Sequence, residues 1–266
     1  MSEFRRNLLT AMNKAEPPIT KDYLTIVALE DGLTAKLSIN ACEYCVDGDG
    51  NWKSLPADTD TETINAGHTL SFRGNLTPTS SNGIGTFTVN KFHNLKGNCM
   101  SLLFGDDAKD CFSLAGKNYA FYNLFKRNDK LINVSKSFLP ATSIVSYCYY
   151  GMFEGCVSLQ TVPNLPTAGN VPGYCYRGMF MNCKSMVSSP ILQGKTIGYG
   201  CYAQMFNGCE NLNTIIMLAT DISAGYCLNN WVNGVSEFGT FVKSKDATWD
   251  VVGVSGVPRG WMVITE

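Results

Sequence analysis

The chain has 266 residues, 45% of them hydrophobic and 16% charged, with a net charge of −1 at pH 7. So few charges, and no cluster of Lys and Arg, argue against a partner held by its phosphate backbone, and no nucleic acid is expected. No segment approaches the roughly 18 apolar residues of a membrane-spanning helix, so no membrane insertion is expected.

Residues 2–14, SEFRRNLLTAMNK, place Phe4, Leu8 and Met12 on one helical stripe that Leu9 widens. Glu16-Pro17-Pro18 stops it. A helix this short is marginal alone in water, and nothing adjacent in sequence covers its stripe. Residues 1–20 are therefore expected to be a docking arm, with Phe4, Arg5, Arg6, Leu8, Leu9 and Met12 as its contacts. The arm has no apolar run of seven residues and no small-residue cleavage site, so no secretory signal is expected.

Residues 21–96 read as strands. YLTIVAL, LTAKLSI, CEYCV, ETI, TLSFRG and GTFTV are rich in β-branched and aromatic residues and are separated by turn signals. The spacing predicts a small antiparallel β-sandwich, immunoglobulin-like in outline. Asp47-Gly48-Asp49-Gly50-Asn51 opens like a calcium loop, but Trp52 and Asp58 stand where glycine and glutamate are needed, so a hairpin turn is expected. Cys42 and Cys45 form a CxxC on a strand, where residues three apart face opposite ways, and no second ligand pair lies near; zinc is not expected.

Residues 97–237 are repeats. Met-Phe pairs recur at 152–153, 179–180 and 205–206, and Trp231-Val232 and Leu124-Phe125 occupy the same place in worn copies. Cys148, Cys156, Cys175, Cys183, Cys201, Cys209 and Cys227 keep step with them. Within YCYYGMF, Cys148 and Met152, and Tyr149 and Phe153, are four apart, which predicts one or two helical turns per unit. Leu159 and Val162 then point inward from a short extended stretch. One unit cannot bury its own apolar face; stacked units can, so a solenoid follows, with cysteine as a small buried spacer. Residues 238–266 change pattern and read as two or three strands anchored by Trp249 and Trp261, a β cap on the last coil. The fold class expected is α+β: a sandwich, a solenoid and a cap.

Chemistry is sparse. The two histidines, His68 and His93, lie beside no motif acid or nucleophile and read as surface residues. None of GxSxG, HExxH, a P-loop or a GxGxxG after a strand is present. No enzyme activity, cofactor or metal is expected. Asp106, Asp107 and Asp110 read as a solvated loop. The tyrosines are the binding signal. Tyr149, Tyr176 and Tyr202 match from repeat to repeat and read as core. Tyr150, Arg177, Ala203 and Asn229 form the next row, which varies and reads as exposed. The expected binding residues are Tyr150, Arg177, Asn229, Asn230 and Trp231, since rings and amides on a low-charge surface suit glycans or protein epitopes.

The pattern (M/A)F-x-x-C-x-S-L-x-x-x-x-P resembles the BspA-like, Treponema-type leucine-rich repeat. It is carried by Phe153, Cys156, Ser158, Leu159 and Pro163; by Phe180, Cys183, Ser185, Met186 and Pro190; and by Phe206, Cys209, Asn211 and Leu212. The resemblance covers about half the chain and implies binding and adhesion modules of bacterial surfaces and protists. FRRNLLTAMNK, the stretches YLTIVALEDGLTAKLS, CEYCVDGDGNWKSLP and GNLTPTSSNGIGTF, and the ending ATWDVVGVSGVPRGW look like a group of proteins from gut Bacteroidales and their bacteriophages. That likeness implies a virion appendage, a fibre or decoration protein. Its arm would dock on other virion proteins and its repeats would meet a host surface protein or glycan. Lysis would release it without a signal peptide. A homo-oligomer, in a fibre a trimer, is compatible with this, although no trimerisation motif is present. The alternatives are a bacterial cell-surface adhesin and an intracellular protein-binding scaffold.

Overall fold

The computed structural model describes residues 23–166 and 169–266. The expected docking arm, with Phe4, Arg5, Arg6, Leu8, Leu9 and Met12, lies outside the described residues. The chain is mostly β. Among the described residues there is one α-helical turn, Ser101–Phe104, running into a 3-10 turn, Gly105–Lys109.

The first strands are β1 (Leu24–Ala28), β2 (Ala35–Leu37), β3 (Cys42–Val46), β4 (Lys53–Leu55), β5 (Thr69–Arg73), β6 (Phe87–Val89) and β7 (His93–Lys96). Five of them, joined by β8 (Leu131–Val134), form a sheet in the order β4-β3-β5-β1-β7-β8, and β2 pairs with β6. All these pairings are antiparallel except β7 with β8, which is parallel. The sheet therefore crosses from the opening segment into the repeats. Buried Asn128 ties the two together: its Nδ2 donates to the Phe87 carbonyl at 2.7 Å and its Oδ1 accepts from Val89 N–H at 3.1 Å. Asp47–Asn51 is the β3–β4 turn, with Asn51 N–H donating to Asp49 Oδ1 at 2.9 Å, as expected of a hairpin. ETI gave an isolated bridge, Leu33 to Ile64, in place of a strand.

Residues 170–265 form a β-solenoid of about four turns. One side is a parallel sheet of β10 (Ser188–Leu192), β12 (Thr214–Met217), β13 (Thr240–Lys243) and β14 (Met262–Thr265), and a second pairs β9 (Asn170–Val171) with β11 (Thr196–Ile197). The segment expected to cap the last coil instead extends it: β13 and β14 continue the parallel sheet in register, Phe241 opposite Ile215 and Val263 opposite Phe241. Trp249 and Trp261 do anchor it, their Nε1 groups donating to the Ala219 carbonyl at 2.8 Å and the Ser236 carbonyl at 2.9 Å.

Beyond Lys109 the described residues form none of the helical turns expected in each repeat. In their place is a ribbon of overlapping turns, stacked coil on coil. Tyr150, Met152, Glu154 and Cys156 donate their N–H groups three residues back, at 3.0 to 3.3 Å. Tyr149, Gly151, Phe153 and Gly155 donate theirs to the next coil, to the carbonyls of Cys175, Arg177, Met179 and Met181, at 2.7 to 3.0 Å. A helix would use every N–H within its own segment and leave nothing to join coils; the ribbon splits its donors evenly. Every fourth residue takes a left-handed conformation: Tyr147, Gly151 and Gly155 have φ of 62°, 59° and 76°. Side chains then alternate two in and two out, so the spacing of four that suggested a helix belongs to the ribbon.

The inward pairs pack as columns. Phe125, Phe153, Phe180 and Phe206 stack at 5.7 to 6.0 Å, and Tyr149, Tyr176 and Tyr202 at 5.7 to 5.9 Å, all of them 0–1% exposed. Stacked rings add to their burial about 0.5–1.5 kcal/mol a pair. The cysteine columns do more than fill space. The Sγ–H of Cys156, Cys183 and Cys209 donates to the carbonyl of Phe125, Phe153 and Phe180 in the preceding coil, at 3.0 to 3.2 Å. All eleven cysteines are free, and only Cys111 is not fully buried.

Candidate binding face

The ribbon turns a row of tyrosines outward. Tyr119, Tyr147 and Tyr174 stack with centroids 4.5 and 4.8 Å apart and planes within 15°. Tyr199 and Tyr226 continue the row at 5.4 and 5.5 Å, with tilted and edge-on rings. Tyr199 and Tyr226 are 46% and 66% exposed, and the other three are half-buried. A shorter second row lies beside it: Tyr122 meets Tyr150 at 4.9 Å, and Arg177 follows. Arg177 sets its guanidinium carbon 5.8 Å from the centroids of both Tyr150 and Tyr174. Close stacking buries the Tyr147 phenol and, with Tyr119 and Tyr174 beside it, pushes its pKa above the ordinary value. That hydroxyl therefore stays a neutral donor and acceptor at physiological pH.

The backbone of this row is strained. Tyr119, Tyr147, Tyr174 and Tyr226 have φ of 63°, 62°, 57° and 57°. A side chain in this region costs on the order of 1 kcal/mol, which glycine avoids. Four residues on, the same left-handed role falls to Gly151 and Gly178. In the fourth coil the tyrosine slips back by one. Gly200 takes the left-handed place at φ 58°, and a Cβ there would lie 2.7 Å from Tyr174 Cε1. The glycine lets Tyr199 enter the ladder.

Of the five residues expected to bind, Tyr150 and Arg177 lie in this face, half-buried, and Asn229 and Asn230 are exposed on the fifth coil. Trp231 is a correction. It is 0% exposed, ends the phenylalanine column 5.8 Å from Phe206, and donates its Nε1–H to the Gly256 carbonyl at 2.9 Å. An inward ribbon position put it in the core. Ala203, expected in the exposed row, is 2% exposed. Tyr119 and Tyr122 were missed because their coil is worn. Tyr147, Tyr174, Tyr199 and Tyr226 recur with the repeat in the sequence, one or two places before each repeat cysteine; that they form one surface row is seen only in the structure.

Other polar groups are engaged or enclosed. His93, read as a surface residue, is 0% exposed in the sheet. His68 is at the surface, with Nδ1 2.6 Å from Asp47 Oδ2. It lines a cleft of about 340 Å³ beside Lys53 and Glu62, whose charges pair with each other. Asp106, Asp107 and Asp110 are exposed, as expected of a solvated loop, and Asp106 also accepts from Arg73 Nη1 at 2.8 Å and from the Tyr23 hydroxyl at 2.7 Å. Among the described residues no group of three or more His, Cys, Asp or Glu side chains is placed to hold a metal ion, and no helix is long and apolar enough to cross a membrane. No family model, curated protein or solved structure matches the chain.

Proposed function

We propose that this chain is a non-enzymatic binding protein that presents the tyrosine ladder on a stiff solenoid. One observation carries the reading. At the row's left-handed positions glycine would be cheaper, yet four of five coils place tyrosine there, half-buried or exposed. Strain kept at a surface row, where it adds little to the core, points to a role for the row outside the fold. Rings held by their neighbours lose little entropy when a ligand lands, which suits a contact surface.

On this reading the opening residues are the sandwich base and the repeats a BspA-like leucine-rich array. The likeness to proteins of gut Bacteroidales and their phages supports placing it in the virion as a fibre or decoration protein. Residues 1–20 would dock on virion proteins and the ladder would meet a host surface protein or glycan. A second reading, an intracellular scaffold, is favoured by the eleven free cysteines, which suit a reducing compartment. Mass spectrometry of purified particles from a phage or lysogen carrying this gene separates the two. Peptides in fixed ratio to the capsid or tail proteins are expected; their absence from particles and presence in the host cytosol overturns the virion assignment.

A further inference from the structure

The two tyrosine rows contain one charged side chain, Arg177. Its Nη2 donates to Gln204 Oε1 at a long 3.4 Å, and its Nε is buried with no acceptor. The Lys and Arg ion pairs among the described residues engage other cations: Lys36, Lys53, Arg73, Lys109, Lys126 and Lys184. Arg177 is therefore a cation beside two rings that has no carboxylate partner among the described residues. With Nε buried, the terminal nitrogens of the guanidinium remain to meet a ligand, and a carboxylate can accept two parallel hydrogen bonds from such a pair.

The stack restricts the ligand further. Tyr119, Tyr147 and Tyr174 spend their ring faces on one another, so a ligand meets edges and hydroxyls. The row repeats the same group at each coil, at steps of 4.5 to 5.5 Å. A repeating row of neutral hydroxyls matches a repeating chain of hydroxyls. We infer that the ladder binds an extended acidic polysaccharide, with Arg177 holding a carboxylate and the tyrosine hydroxyls bonding the sugars on either side. This rests on the reading of the ladder as the contact surface.

The test titrates the full chain with polygalacturonate, a uronic-acid polymer, and in parallel with neutral dextran and with poly-glutamate. Polygalacturonate is expected to bind best, and its binding to weaken as salt rises. Arg177→Gln should weaken it by about tenfold or more, the loss of one charge-assisted contact, while Arg177→Lys, which keeps the charge without the fork, falls between. Both variants should melt with the wild type. Equal binding of dextran, unmoved by salt or by Arg177→Gln, overturns the acidic ligand and leaves the ladder reading standing. Tighter binding of poly-glutamate overturns the polysaccharide in favour of an acidic peptide. Polygalacturonate binding that survives Tyr147→Asn with Tyr174→Asn, residues chosen to tolerate the left-handed backbone, overturns the ladder reading itself. Failure of all three polymers to bind overturns the inference.

Discussion

His93 gives the fold a pH dependence of its own. It opens β7, opposite Ala28 on one side and Leu131 on the other, and is 0% exposed. Its Nδ1 sits 2.9 Å from the Lys91 carbonyl, so that nitrogen carries the proton and donates. Nε2 is buried with no partner. A second proton would put an unpaired charge there. Burial accordingly pulls the pKa from the ordinary 6.5 down to about 4, against the weaker opposing pull of the Lys91 carbonyl and of Asp129. An unfolded chain takes up this proton as pH drops through 6.5, and the folded chain only near 4. Stability is therefore complete above about pH 6.5, falls as pH is lowered toward 4, and is flat below as far as this group is concerned. At 1.36 kcal/mol per pH unit the window is worth on the order of 3 kcal/mol. Urea unfolding followed by tryptophan fluorescence at about pH 7.5, 5.5 and 4 should show this loss, and His93→Leu, which cannot titrate, should remove most of it. Asp47, Asp106 and Asp221, whose pKa values are held low chiefly by hydrogen bonds, add a separate loss on further acidification. Equal slopes for wild type and His93→Leu between pH 6.5 and 4 would refute the argument.

Three further outcomes follow from the packing. A thiol reagent should label Cys111 alone in the folded protein and all eleven cysteines in denaturant without reductant; fewer than eleven would reveal a disulfide. Burial that pushes the Cys42 and Cys209 thiols up to about 12 makes those sites doubly inert. Gly200→Ala should cost about 2 kcal/mol, from left-handed strain and a Cβ pressed on Tyr174, whereas Gly169→Ala, where a Cβ meets nothing within 4 Å, should be near neutral in a parallel melt. Trp231→Ala should cost about 3–5 kcal/mol and abolish cooperative melting of the last coils, where an exposed binding residue would cost almost nothing.

The cysteine and Met-Phe periods were legible as a stacked array because stacking alone makes one coil's inward residues recur in the next. Core assignment of Tyr149, Tyr176 and Tyr202 was legible for the same reason. Secondary structure was not. A helix and the turn ribbon both bring residues four apart to one side, so Cys148 with Met152 fits either. The difference lies in where the N–H groups go, and that is settled by neighbouring coils. His93 was misread because HNLK has too few apolar residues to look buried; β1 on one side and β8 on the other enclose it, and its β8 partner, Leu131, comes from 38 residues downstream (131 − 93).

The tyrosine ladder was legible only in part, for a different cause. A repeat is found by aligning coils at constant spacing, and the ladder does not keep it: Tyr199 stands one residue earlier than Tyr147 and Tyr174 do relative to the next buried cysteine, with Gly200 in the vacated place. Packing explains why the ladder survives the slip. What the row holds constant is the position of a ring at the surface, and two backbone solutions deliver it: tyrosine in the left-handed place, or glycine there with tyrosine just before. Had the left-handed backbone been all that mattered, glycine or asparagine would serve in every coil at less strain. Two unlike local solutions converging on one ring position indicate that the ring is the constraint, and this is the physical ground for the proposal that a contact surface lies on the ladder rather than on the buried columns behind it.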